Sequence, residues 1–396
     1  MSRMISQAFI WSRLLGVPFW VMLNTLSVLL YKEFHVSPLL VTLLIVLKPT
    51  TALFASHWSC FFSGKNKYFI LTNILRFTPF LFFFAVNSAW MIIGCFFLYM
   101  VLSRGSVPVW TELFKNHLPK DQQHRLFAFG NTFEYLGMTI FPIMIGMVLD
   151  YNANLWRLLF PLTACIGLTS TLLMVRLPNS LTKRSPMQKT VFLPWKNAFT
   201  IIKSHRDFRI YLFAFMLGGS GLMVIQPVLP IFFVDELKFS YTAMMMAISV
   251  CKGVGYVISS PFWVRLFKRF SLFQFSFLVI LFAFCFPLIL IGAKWRFWLC
   301  YIAYIGYGFM QSGSELSWHL SPAIFSSEQR SLPFTETNIL AVGLRGCFIP
   351  FLGSFLFYLF NSFTVMMIGS LFCLLGAFIL INYKEKVKIL SKSLPL

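Results

Sequence analysis

The sequence predicts an all-α membrane protein whose twelve transmembrane helices form two pseudo-symmetric six-helix bundles. Three observations lead there. Of the 396 residues, 58% are hydrophobic and only 11% charged, with a mean hydropathy of +0.77; a soluble chain would carry about a quarter charged residues. Apolar runs of about 20 residues, enough to cross the hydrocarbon core, recur along the chain. Features of the first half also return in the second at an offset of about 205 residues, the mark of an internal repeat.

The apolar runs fall near 9–30, 39–62, 69–87, 90–112, 126–149 and 155–176, and again near 208–233, 241–264, 271–292, 296–318, 334–358 and 362–382. The second run, LLVTLLIVLKPTTALFASHWSCFF, carries Lys48 near its middle, and the eighth carries Lys252 about as deep. A charge at that depth costs roughly 3 kcal/mol on the mildest scale, so it usually faces a watery cavity or a partner. TELFKNHLP at 111–119 echoes SELSWHLSP at 314–322, and Arg125 and Arg330 follow at similar distances. The only long polar stretch, 178–206, is rich in Lys and Arg and broken by Pro178, Pro186 and Pro194. It reads as a linker. The expected division is an N-terminal bundle at 1–177, a cytoplasmic basic linker at 178–206, and a C-terminal bundle with a short cytoplasmic tail at 207–396.

The formal charge of +21 suggests a nucleic-acid partner only until the cations are located. They cluster in short segments between apolar runs, as the positive-inside rule requires, and no continuous patch forms. With the linker cytoplasmic, both termini are cytoplasmic. The amino terminus reads as a signal anchor and first helix, not a cleaved leader. All eight cysteines lie in apolar segments without CxxC or metal-ligand spacing, so no metal and no cofactor is expected. The chain has no GxxxxGK[ST] loop, no HExxH helix and no GxSxG elbow. An ATP-driven pump and a membrane hydrolase are therefore not expected, and the protein is not read as an enzyme.

The whole chain resembles the major facilitator superfamily. The resemblance rests on two six-helix halves, a basic central loop and short basic turns after the second and eighth spans. SGKNKYF at 63–69 is similar to the glycine, acid and basic loop of that family but lacks the acid, and VRLFKRF at 264–270 keeps only the basic cluster. LPKDQQHR at 118–125 is similar to its turn before the fifth helix. The arginine-glutamine-glycine signature of the fourth helix is absent near Phe96, and the fifth helix lacks the drug-antiporter glycine pattern. The resemblance implies a cavity lined by the first, fourth, seventh and tenth helices, alternating access, and a monomer.

Helical spacing nominates the chemistry. Lys48, Lys252 and Arg345 are deep cations that would draw an anionic metabolite, with Asn24, Gln226 and Gln311 as neutral contacts. On the second span Lys48 shares a face with Thr51, Ala55 and Ser59, and the tenth places Tyr304, Gln311, Glu315 and Trp318 on one stripe. Glu134 and Glu315 are the candidate proton carriers, with Asn131 a turn from Glu134. Arg13, Arg104 and Glu112 sit nearer helix ends and suit gating; Arg76 reads as structural. The competing reading pairs each cation with a nearby acid and gives it only a packing role.

The first functional reading is a secondary transporter moving a small, anionic metabolite across a bacterial inner membrane, coupled to protons or to a counter-anion. Two others stay open: an exporter of amphipathic, drug-like or lipid molecules, and a transport-inactive sensor or scaffold.

Overall fold

In hydrocarbon the backbone finds no water to bond, so apolar spans close their own hydrogen bonds as helices. The computed structural model follows that rule, with no strand among the residues it describes: 2–53, 66–117, 120–175, 193–326 and 331–383. Side chains are described within these ranges except at 2–9, 66–70, 105–129, 131, 132, 135, 174–175, 193–194 and 332. Among the described residues seven helices are long and apolar enough to cross a membrane, and four shorter apolar helices accompany them. The helix Leu299–Ser326 completes a set of twelve. Its mean hydropathy is held down by Gln311, Ser312, Ser314, Glu315, Ser317 and His319.

Starts are set by local chemistry. Ser240, Ser271 and Asn361 each accept a hydrogen bond from a backbone N–H three residues on, capping the eighth, ninth and twelfth spans. Interruptions follow proline. The third span, expected as one run, is broken after Asn66–Leu75 and resumes at Thr78–Leu81, where Pro79 lacks a donor and disfavours helical geometry just before it. The seventh span likewise ends at Ile225, ahead of Pro227 and Pro230, and continues as a short helix and a π turn to Glu236. The eighth span is not regular either. Helix Tyr241–Met245 passes through a π turn, Met246–Cys251, before Lys252–Phe267.

The chain forms two compact units. The first comprises 1–189 with 239–249, and the second 190–238 with 250–396. In the first unit, the first span packs against the fifth and sixth. Phe19 stands edge-on to Phe77 and Phe80 at 4.9 and 5.0 Å, in a ring cluster continued by Tyr99, Phe83, Phe160 and Trp156. Hydroxyls cross-link the helices where lipid offers no other partner: Ser170 donates to the Ser12 carbonyl at 2.7 Å, and Arg76 donates to Thr171 at 2.9 Å. The segment from Ser240 is held here as well. The Asp150 carboxylate accepts from the backbone N–H groups of Tyr241 and Thr242 at 2.6 and 3.0 Å, and the Tyr241 hydroxyl donates to Glu33 at 2.6 Å.

In the second unit the eighth and tenth spans touch backbone to backbone. A Cβ on Gly308 would lie 1.9 Å from the Lys252 carbonyl oxygen, and one on Gly255 would lie 2.0 Å from that of Ile305. Only glycine allows this approach. Trp263 fastens the same pair, donating to the Phe309 carbonyl at 2.7 Å. The buried Ser276 and Ser317 hydroxyls, 3.0 Å apart, tie the ninth span to the tenth.

Candidate functional site

The contact of Gly255 and Gly308 fixes the register of two polar faces. Lys252, Tyr256 and Ser259 recur at helical spacing along the eighth span. Ser259 is spent on packing, donating to the Tyr256 and Phe309 carbonyls. Tyr256 reaches across and donates to Glu315 Oε2 at 2.6 Å, while Gln311 Nε2 donates to Glu315 Oε1 at 3.2 Å. Each oxygen of the carboxylate therefore has its own donor. The Lys252 ammonium lies 5.6 Å from the centre of the Tyr307 ring and interacts electrostatically with Glu315.

Of these groups, Tyr307, Gln311 and Glu315 border a cavity of ≈ 210 Å³ inside the second unit. Gln226, Tyr307, Gln311, Ser314, Glu315 and Arg345 supply its polar lining, and the other walls are apolar apart from Gly218 and Gly219. Gly219 makes room for the guanidinium: a Cβ there would sit 1.8 Å from Arg345 Nη1. Nearby Gly221 packs against the Gly369 carbonyl, so the glycines of the seventh span serve close helix packing at one position and the cavity at another. Arg345 donates from Nη1 to the Met216 carbonyl at 3.5 Å, a weak contact, and its buried Nε has no hydrogen-bond partner. Among the described residues the ion pairs are Arg13–Glu134 and Lys294–Glu236, so Arg345 has no carboxylate within 4 Å. A desolvated guanidinium with spare donors beside an open volume is a ready anion receptor.

The remaining nominated residues lie in the first unit. The Lys48 ammonium donates to Asn24 Oδ1 at 2.8 Å and stands 5.1 Å from the centre of the Trp20 ring, which brings two of them together. On the same face Thr51 turns its hydroxyl back onto the Leu47 and Lys48 carbonyls; Ala55 and Ser59 lie outside the described residues. Arg13 and Glu134 form an ion pair at 2.8 Å between the first and fifth spans, joining a nominated gating residue to a nominated proton carrier. Arg104 interacts electrostatically with Tyr99. Arg76 is held by Thr171 and faces the Phe77 ring at 4.7 Å. The side chains of Glu112 and Asn131, and the loop motifs at 63–65 and 118–119, lie outside the described residues.

Sequence spacing placed the centre of the tenth span's face slightly wrong. Tyr304 is buried among Phe233 and Phe286, at 6.1 and 5.4 Å, and Trp318 packs into the second unit's core. Tyr307 and Ser314 line the cavity instead. Tyr307 was findable, since 307, 311 and 315 repeat every four residues. Gly219 was not, because only the fold brings Arg345 onto it.

A family model described as Major Facilitator Superfamily matches residues 12–338. No curated protein matches the chain. Among solved structures it is similar to the nucleoside transporter NupG, with a TM-score of 0.69, 12% identity, and 95% of this chain and 99% of that one covered. A POT family transporter in complex with 5-aminolevulinic acid gives a TM-score of 0.73 at 12% identity, covering 96% and 95%. A bacterial homolog to the human lysosomal transporter Spinster gives 0.63 at 12% identity, covering 95% of each chain. At these identities the likeness concerns the fold.

Proposed function

The chain belongs to the major facilitator superfamily, and from that premise we propose that it carries a small anionic metabolite across the membrane by alternating access, with Arg345 as the anchor for the anion. One observation carries this reading: a guanidinium at the cavity wall whose Nε is unpartnered and which, among the described residues, has no carboxylate within 4 Å. Burying such a group is costly unless something completes its hydrogen bonds, and an oxyanion does so bidentately. Gln226 and Gln311 give the solute neutral contacts. Within the second unit Lys252 adds positive potential, and in the first unit Lys48 with Asn24 supplies a cationic contact of its own.

Glu315 is the proton carrier in this scheme. It shares the cavity with Arg345 and interacts with Lys252, so its charge state alters the field the solute meets. The Glu134 carboxylate is engaged by Arg13, which favours a tie between helices with Arg13 at its cytoplasmic end. Arg104 and Glu112 keep gating roles. A volume of ≈ 210 Å³ lies below the 300–1,000 Å³ usual for drug-sized ligands, which supports a metabolite over a drug-like cargo. The solute moves through a bacterial inner membrane, with both termini and the linker cytoplasmic and the protein acting as a monomer.

Reconstituted vesicles presented with a panel of phosphate esters and carboxylates, with and without a pH gradient, test the reading. Gradient-driven accumulation of an anion is the expected result, and uptake that requires internal anion assigns exchange as the driving force. Uptake confined to amphipathic cations, or none for any solute, overturns the proposal.

A further inference from the structure

The helix Leu193–Ser204, between the two sets of spans, takes no part in the transport scheme, yet its two faces differ sharply. On one, Ala198 is buried, and Ile201 and Ile202 pack onto Phe208, Leu212 and Phe334 at the beginnings of the seventh and eleventh spans. The helix is thereby held where two membrane-spanning helices start, at the level where hydrocarbon gives way to headgroups. On the other face Phe199 is 70% exposed. Lys196 precedes it by three residues and Lys203 follows it by four, so all three share that face and both lysines are exposed. Arg206 and Arg209 are exposed just beyond, and Arg209 Nη1 also donates to the Ile202 and Lys203 carbonyls at the helix end. From Thr190 to Arg206 the sequence has no acid, and the first that follows, Asp207, is taken by the Tyr383 hydroxyl at 2.5 Å.

Water is a poor solvent for Phe199, and acyl chains are a poor one for the lysines. The headgroup boundary suits both, with the ring among the upper methylenes and the ammonium groups beside phosphates. Uncompensated positive charge selects an anionic surface over a zwitterionic one. We propose that this face of the linker helix binds anionic phospholipid of the adjoining leaflet and fixes the second unit to it.

The full-length protein in nanodiscs of phosphatidylcholine, with and without one-third phosphatidylglycerol, allows a direct test by native mass spectrometry of retained lipid. Wild type should retain phosphatidylglycerol preferentially, and Lys196→Glu/Lys203→Glu should lower that retention about tenfold with the thermal transition unchanged. Replacing Phe199 with a photoreactive phenylalanine analogue in native membranes reads the contact independently of charge. Adducts of lipid mass are expected. Equal retention of both lipids by wild type, unchanged retention in the double variant, or crosslinks to a protein in place of lipid overturns the assignment.

Discussion

Arg345→Met separates a receptor from a strut, because the two roles predict opposite signs for stability. Methionine keeps an unbranched stem of similar reach and removes the guanidinium. If Arg345 anchors the solute, the variant loses charge-assisted hydrogen bonds of about 1.5–3 kcal/mol, so the dissociation constant of the transported anion rises about 10- to 150-fold. Stability should hold or rise. The substitution takes away the long, weak bond to the Met216 carbonyl, and an unpartnered buried Nε disappears with it. A cation locked to a hidden acid behaves otherwise: removing one member of a buried pair costs about 3–5 kcal/mol. The assay is thermal stabilisation of detergent-solubilised protein by the anion most active in vesicle uptake, followed by counterflow with the same anion. Wild-type affinity in the variant, or a large drop in its unliganded melting temperature, refutes the reasoning.

Gly219→Ala attacks the same group from outside. Its Cβ, 1.8 Å from Arg345 Nη1, must displace the guanidinium, so anion affinity should fall in the wild-type background and be unaffected in Arg345→Met; additive losses in that double-mutant cycle would break the link. Glu315→Gln keeps the approximate shape of the group that Tyr256 and Gln311 contact. It should abolish accumulation driven by a pH gradient while sparing exchange, and undiminished gradient-driven uptake removes Glu315 from coupling. Asp150→Ala uncaps the backbone N–H groups of Tyr241 and Thr242 and should cost about 1 kcal/mol in chemical denaturation. Burial and the hydrogen bond to Asp207 raise the Tyr383 phenol above its ordinary value. A raised acid stabilises the fold below its unfolded pKa of about 10 and loses that contribution as pH climbs through the folded value. Tyr383→Phe should therefore lower the melting temperature slightly at pH 7 and flatten its decline at alkaline pH; an unchanged alkaline decline counts against the tie.

The order of the spans was legible because hydropathy integrates over many side chains. Leu272–Gly292 is unmistakable on that basis. Backbone interruptions were harder to see. Pro79 and Pro227 stood in the sequence, but a hydropathy sum does not register a missing donor, and the π turn at 246–251 leaves no compositional trace. Cations deep in apolar runs were visible one at a time; what they meet was not. Arg13 and Glu134 are 121 residues apart, and Gln226 and Arg345 share a wall only because the seventh and eleventh spans pack together. Periodicity within one helix finds a face, but the angle at which that face meets its neighbour is a tertiary quantity. The displacement from Tyr304 to Tyr307 has that cause.

In the proposed scheme, a carboxylate lining the same cavity as the Arg345 guanidinium would look wasteful, since each negative group would compete for the same field. For a coupled carrier the competition supplies the mechanism. With Glu315 charged, a second negative group entering the cavity faces repulsion from the carboxylate that Tyr256 and Gln311 hold in place. With it protonated, the field of Arg345 and Lys252 is left to the solute. If the proposed function holds, the protonated carrier would bind the anion more tightly, and linkage would require proton and anion to favour each other by the same factor. A tenfold coupling corresponds to about 1.4 kcal/mol, well within what a neighbouring charge supplies at an intermediate effective dielectric. On the proposed reading, the cavity without Glu315 would still bind anions, would lose the pH dependence that Glu315 confers, and would leave the carrier an exchanger.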